Sequence, residues 1–199
     1  MNSIQEWFDQ RKSIVTDIHE HLDTLRKYAE GCEHITELGT AGLHSTWAFL
    51  MAKPKKFITV DIIEPSARPT VKEALDSAIE LAAKEGIDFT FLLDDTTRTD
   101  FQIEETDLLF IDTYHVYDHL KKELEMHANK ARKYIIMHDT TTFAFNGEIG
   151  EYESTVTPEN RYAPKGLWPA VVEFLEYNPH WKILEKFENN NGLTILSRV

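Results

Sequence analysis

The spacing of hydrophobic residues changes near residue 33. Before it, Ile4, Trp7, Phe8, Ile14, Ile18, Leu22 and Leu25 recur at three- and four-residue steps with charges between them. That is the period of an amphipathic helix, so one or two helices are expected over 3–30, stopped at Gly31. After it, short apolar runs alternate with helical stretches. Strands are expected at 34–38, 56–62, 89–93, 108–112 and 133–139, with helices at 45–51, 70–85 and 115–129 between them. Residues 140–165 are polar and without period, as in a functional or mobile loop. A helix follows at 166–178, with Pro169 in its first turn, where proline is tolerated. Two last strands, 181–187 and 193–198, flank Asn191-Gly192, a strong hairpin signal.

Strands that read as continuous apolar runs and alternate with helices indicate an α/β fold, a mostly parallel sheet covered by helices on both faces. The final hairpin adds an antiparallel pair, giving seven strands. We divide the chain into an N-terminal helical extension, residues 1–32, and a catalytic domain, residues 33–199.

Composition narrows the class. The 199 residues fit one domain with a well-buried core. The net charge of −13 would repel nucleic acid and anionic membranes, so neither is an expected partner. The basic clusters 53–56 and 130–133 fall at helix ends and turns. The longest apolar runs are far shorter than the ~18 residues of a membrane span, and the N-terminus lacks the apolar core of a secretory signal. A lone cysteine, Cys32, excludes an intrachain disulfide and reads as a small core residue. A cytoplasmic enzyme is expected; oligomeric state stays open.

In an open α/β sheet, ligands bind beyond the carboxyl ends of the strands. Acids stand at all five of the expected parallel ends: Glu37, Asp61, the pair Asp94-Asp95, Asp112 with His115 three residues on, and His138-Asp139. The loop after the first strand carries Gly39 and Gly42, which allow tight turning and close approach of backbone to a ligand. It is neither the glycine fingerprint of dinucleotide sites nor a phosphate-binding lysine loop. Asp61, about 20 residues on, is placed to accept ribose hydroxyls. A cationic ligand bearing a ribose suits Glu37 and Asp61 better than a pyrophosphate does.

Taken in order, E-L-G-T-A-G, V-D-I, L-L-D-D-T, L-L-F-I-D-T-Y-H-V-Y and Y-I-I-M-H-D-T resemble the class I S-adenosylmethionine-dependent methyltransferases. Within that class the chain is similar to the macrocin-type sugar O-methyltransferases and the cephalosporin hydroxylase-like proteins, over about residues 34–199. The resemblance implies a Rossmann-like methyltransferase fold. It also implies S-adenosylmethionine as cofactor, with Glu37, Gly39, Thr40, Gly42 and Ser45 along its methionine part, Asp61 at the ribose and Asp94 or Asp95 at the adenine. Asp112 and Asp139 would flank the transferable methyl. Ala41 departs from the pattern where many relatives have glycine, His138 where metal-dependent relatives often have an acid, and Tyr114 where some carry an acid proposed as base.

Two questions stay open at this stage. Asp112, His138 and Asp139 form a candidate set for Mg2+ or, given the histidine, for iron or manganese. The alternative for Asp139 is an N-cap-like role, bonding the backbone of Thr140–Thr142. His115, whose ordinary pKa is near ~6.5, is either the general base or a ring that orders its loop. The His115/His119 spacing reads as coincidence. Phe143, Phe145, Tyr152, Tyr162 and Trp168 offer aromatic surface for an acceptor. The expected reaction is O-methylation of a small hydroxylated acceptor such as a sugar or glycoside. An NAD-dependent oxidoreductase and a non-catalytic cofactor-binding module are the competing classes.

Overall fold

The computed structural model describes residues 1–148 and 165–199. Seven strands form one sheet: β1 (His34–Leu38), β2 (Lys56–Asp61), β3 (Asp88–Leu93), β4 (Thr106–Ile111), β5 (Ala131–His138), β6 (Trp181–Phe187) and β7 (Leu193–Arg198). Their order is β3-β2-β1-β4-β5-β7-β6. β1 to β5 pair in parallel, and β7 is antiparallel to both β5 and β6. All seven expected strands form; three keep their expected bounds and four shift by one or two residues at an end.

Among the described residues six α-helices cover the sheet: α1 (Ile4–Ser13), α2 (Leu22–Ala29), α3 (His44–Met51), α4 (Pro69–Lys84), α5 (Tyr117–His127) and α6 (Trp168–Tyr177). Alternation along β4 shows how the sheet is sealed. Leu108 and Phe110 join a core with residues of α1, α2, α3 and α4, whereas Leu109 and Ile111 join another with α5 and α6. β4 is buried at every position, as a central parallel strand must be.

The N-terminal helices belong to the first of these cores. Trp7 stacks flat on Trp47 of α3, centroids 4.8 Å apart. Residues 1–32 are therefore an extension in sequence that shares the core of the rest. The helical period misplaces Ile14. It caps α1 and is 39% exposed, because the chain leaves the helix there and crosses to a short turn at His19–His21. Ser3 fixes the start of α1 by accepting from the Glu6 N–H. Cys32 is buried in the first core, its Sγ 3.4 Å from the Tyr28 carbonyl, and burial pushes the thiol up to about 11. The basic clusters are occupied by acids: Lys53 by Glu85, Lys55 by Glu33, Lys56 by Glu104 and Arg132 by Asp107. Among the described residues no helix is long and apolar enough to cross a membrane.

Candidate active site

Strand order reverses between β1 and β4, and a cleft of about 430 Å³ opens above that point. Gly39, Thr40, Gly42 and Ser45 line it from the β1–α3 side; Asp61, Asp94 and Asp95 from the ends of β2 and β3. Asp112, His115 and Asp139 close the other side. The convergence expected from the sequence is thus present, with two exceptions. Glu37 and His138 do not line the cleft; they lie beneath it.

On the β1–β2 side the carboxylates are held by neutral donors. Glu37 is fully buried and accepts from Ser45 Oγ (2.5 Å), Thr59 Oγ1 (2.6 Å) and Thr46 Oγ1 (2.7 Å). Burial pushes its carboxyl up to about 7, and the three hydroxyls only partly offset this. Thr59 gives its hydrogen to Glu37, so Thr40 Oγ1 is the donor in the 2.6 Å Thr40–Thr59 bond. Glu37 therefore orients Ser45 and Thr40 from below. Asp61 pins the loop as well as facing the cleft. Its Oδ2 accepts from the Thr40 and Ala41 N–H groups at 3.0 and 2.8 Å, and Oδ1 from Ile63 N–H at 2.7 Å. One acceptor position on Oδ1 is left for a ribose hydroxyl. At β3, Asp94 is paired with Arg98 (2.9 Å), and Asp95 caps a local turn through Thr97.

On the β4–β5 side the carboxylates are held by rings. His115 Nε2 lies 2.7 Å from Asp139 Oδ2 and 3.4 Å from Asp112 Oδ1, and Nδ1 lies 2.9 Å from Glu148 Oε2. The ring stacks on Phe143, centroids 4.8 Å apart. His138 Nδ1 stands 3.3 Å from Asp112 Oδ1 and 3.6 Å from Asp139 Oδ2; its Nε2 meets the carbonyls of Asp17 and Asn190, each at 3.1 Å. Carboxylates and carbonyls only accept, so both ring nitrogens of His115 and the Nε2 of His138 are donors. Burial alone would lower the pKa of both rings, but the bonds to Asp112, Asp139 and Glu148 raise His115 to about 12, and Asp112 above all raises His138 to about 9. Burial opposes ionisation of Asp112 too, yet His138 and His115 hold it well below the ordinary carboxylate range.

Asp139 has φ +60°, a left-handed backbone that a non-glycine residue keeps only when its surroundings fix it. Its side chain does not bond the Thr140–Thr142 backbone. The Thr141 and Thr142 N–H groups go instead to the Asn191 carbonyl. Asp139 Oδ1 is buried and without a partner among the described residues. His119 pairs with Glu123 at 3.3 Å, apart from His115's partners, which agrees with a coincidental spacing.

Asp112, His138 and Asp139 bring ligand atoms within 4.8 Å of one another. His138 Nε2 meets two backbone carbonyls, which leaves Nδ1 facing the acid pair, and Asp139 Oδ1 is buried without a partner among the described residues, so the three offer donors of the kind a divalent ion takes.

Several contributors escaped the sequence pattern. Thr16, Asp17 and Ile18, between α1 and α2, line the cleft. Asn190 in the β6–β7 turn bonds both the Thr16 carbonyl and the Glu20 N–H, so the hairpin braces this segment. Glu123 is fully buried beneath the cleft and accepts from Thr96 and Thr113. None of these lies at a strand end, the signal that found the rest. Of the aromatic candidates, Phe145 is 71% exposed and Trp168 lies under Lys186; Tyr152 and Tyr162 fall outside the described residues.

No family model matches the chain, and no curated protein matches it in sequence. Solved structures do match in fold. An O-methyltransferase from Bacillus cereus in complex with S-adenosylhomocysteine shares 16% identity at a TM-score of 0.60, with 98% of this chain and 90% of that one covered. A methyltransferase from Podospora anserina bound to the same molecule shares 16% identity at 0.54, covering 100% and 88%. The O-methyltransferase TomG from Streptomyces achromogenes, in complex with S-adenosylmethionine, shares 14% identity at 0.56, covering 94% and 82%. The chain therefore has the Rossmann-like methyltransferase fold.

Proposed function

We propose that the chain is an S-adenosylmethionine-dependent O-methyltransferase acting on a small hydroxylated acceptor, a sugar or glycoside being the class the sequence resemblance suggests. One observation carries this reading. Carboxylates from the ends of β2, β3, β4 and β5 converge on one ligand-sized cleft, above a glycine-bearing loop at the point of strand reversal. Such a rim favours a cation that carries a ribose and disfavours a pyrophosphate, which separates this reading from NAD chemistry. The neighbours solved with S-adenosylmethionine or its product support the same ligand.

The cofactor supplies an electrophilic methyl group on a sulfonium. Asp61 and the Gly39–Gly42 loop would hold its ribose and amino-acid portions, Asp94 or Asp95 its adenine. Methyl transfer is a direct displacement, so alignment of the acceptor oxygen carries much of the barrier. Asp139 Oδ1 is the group placed to take the acceptor's proton, since it is buried, unpartnered and on the cleft wall. His115, itself held by Glu148, bonds the other oxygen of that carboxylate.

The test is calorimetry with S-adenosylhomocysteine against NAD, followed by turnover of Asp139→Asn over a panel of hydroxylated acceptors. Binding of S-adenosylhomocysteine alone is expected. Asp139→Asn should lose about 10²-fold in kcat, the scale of one proton acceptor, with cofactor affinity nearly unchanged. Tight NAD binding, or full activity in the variant, would reject the assignment.

A further inference from the structure

We infer that Glu123 is a positioning residue for the cofactor: through one buried carboxyl group it ties the loop that receives the adenine to the loop that carries Asp112. The inference rests on the methyltransferase reading for what occupies the cleft; the tie itself is geometry.

Sheet order places β3 and β4 three steps apart, so at ~4.8 Å per step their ends are separated by roughly 14 Å. The chain leaves β3 at an edge of the sheet. Asp94, Asp95 and Thr96 then line one part of the cleft, and Asp112 and Thr113 another. Bonds inside the first loop shape its turn. Asp95 Oδ1 accepts from the N–H and the hydroxyl of Thr97, and the Asp95 carbonyl accepts from the Arg98 N–H.

α5 fixes that turn against the body of the protein. His119, Glu123 and His127 stand four residues apart on one face of the helix, all three buried. Glu123 Oε1 accepts from Thr96 Oγ1 at 2.5 Å, and Oε2 from Thr113 Oγ1 at 2.8 Å. His127 Nε2 donates to the Thr96 carbonyl at 2.8 Å, and His119 Nε2 lies 3.3 Å from Glu123 Oε1. Stability alone does not account for an acid here. A carboxyl group without exposure costs more to bury than an apolar side chain of its size, and hydroxyl donors offset only part of that. The gain is a fixed distance, because the two oxygens of one rigid group hold Thr96 and Thr113 apart by a set amount. A cofactor with its adenine at the first loop and its methyl beside Asp112 spans the same two loops, and methyl transfer depends on that alignment.

Calorimetry on the full-length chain compares S-adenosylhomocysteine with S-inosylhomocysteine, whose base carries a carbonyl in place of the adenine amine. Wild type is expected to prefer the amine by at least about tenfold, since acids that accept from it would be left facing a carbonyl oxygen. Glu123→Met keeps the volume and removes both acceptors. It should bind S-adenosylhomocysteine about tenfold more weakly and keep a preference of about threefold or less. Glu123→Gln, which can accept from Thr96 and donate to Thr113, should stay within about twofold of wild type. A folded methionine variant with wild-type affinity and preference overturns the inference. So does an equal loss for both ligands, or a glutamine variant as weak as methionine. Should methionine fail to fold, Thr96→Val removes one donor at the loop itself and decides in the same way: a reduced preference supports the tie and an unchanged one ends it. Wild type that binds neither ligand ends the methyltransferase reading together with this inference, whereas binding by wild type with the variants unchanged ends the inference alone.

Discussion

The two sides of the cleft treat the same problem, a carboxylate buried at a strand end, in opposite ways. At β1, Glu37 is met by three hydroxyls and rises to about 7. At β4, Asp112 is met by two charged rings and falls well below the usual range. Neutral donors offset only part of the cost of desolvation, whereas nearby cations exceed it. The β1–β2 side is thus a scaffold that tolerates a neutral acid and still orients Thr40 and Ser45. The β4–β5 side keeps Asp112 ionised. The difference follows the work we assign to each: holding a cofactor in one case, taking a proton in the other.

Breaking the seam between the sides should have the largest effect. Gly39 has φ +89°, and a Cβ there would stand 1.9 Å from the Asp112 carbonyl oxygen. No side chain can yield, because the obstacle is backbone. Gly39→Ala must therefore push the β1 tip away from β4 and break the 2.8 Å bond from Asp112 N–H to the Leu38 carbonyl. Strain at positive φ together with overpacking amounts to roughly 3 kcal/mol or more. Chemical denaturation is expected to show that loss, and calorimetry to show S-adenosylhomocysteine binding abolished in whatever remains folded.

Sequence pattern reached the scaffold side further than the chemical side, for a physical reason. Strands and their terminal acids are local features: an apolar run, then an acid, then glycine. The seven strands, the cleft and the placement of Asp61, Asp94, Asp95, Asp112 and Asp139 follow from them. What makes His115 a cation is not local. Glu148 lies 33 residues on, in a stretch without period, and the partners of His138 come from Asp17 and Asn190 at opposite ends of the chain. Ordinary histidine chemistry gives no sign that acids from three segments will meet one ring and raise its pKa. Glu37 was misjudged in the other direction, since an acid at a strand end gives no hint that Ser45, Thr46 and Thr59 will close over it.

A titration sharpens the contrast at Glu37. Its pKa is raised in the fold, so the stability it contributes is complete below the ordinary glutamate pKa near ~4.5 and is lost as pH rises through about 7. A displacement of that size corresponds to something on the order of 3 kcal/mol between those limits. Glu37→Gln cannot titrate. Unfolding free energies of wild type and variant, compared between pH 4.5 and 8, should show the wild-type curve falling more steeply by that amount. Parallel curves would mean that the hydroxyls compensate the charge fully, erasing the distinction drawn between the two sides.

The smallest effect belongs to Ala41, where relatives by resemblance carry glycine. Its φ of +38° is a left-handed backbone, held by the N–H bond to Asp61 Oδ2. Alanine there costs about 1 kcal/mol in the folded state, while glycine costs roughly 0.5–1 kcal/mol through the freedom it restores to the unfolded chain. The two nearly cancel, so Ala41→Gly should move stability by less than about 0.5 kcal/mol. Ala83→Gly, at an exposed helical position in α4, lacks the folded-state relief and should lose roughly 0.5–1 kcal/mol. The gap between the two, read from melting temperatures under identical conditions, measures the strain stored in the loop. If Ala41→Gly lost as much as Ala83→Gly, the loop would hold no such strain, and Asp61 would be left as an acceptor for a ligand more than as a clamp on the chain.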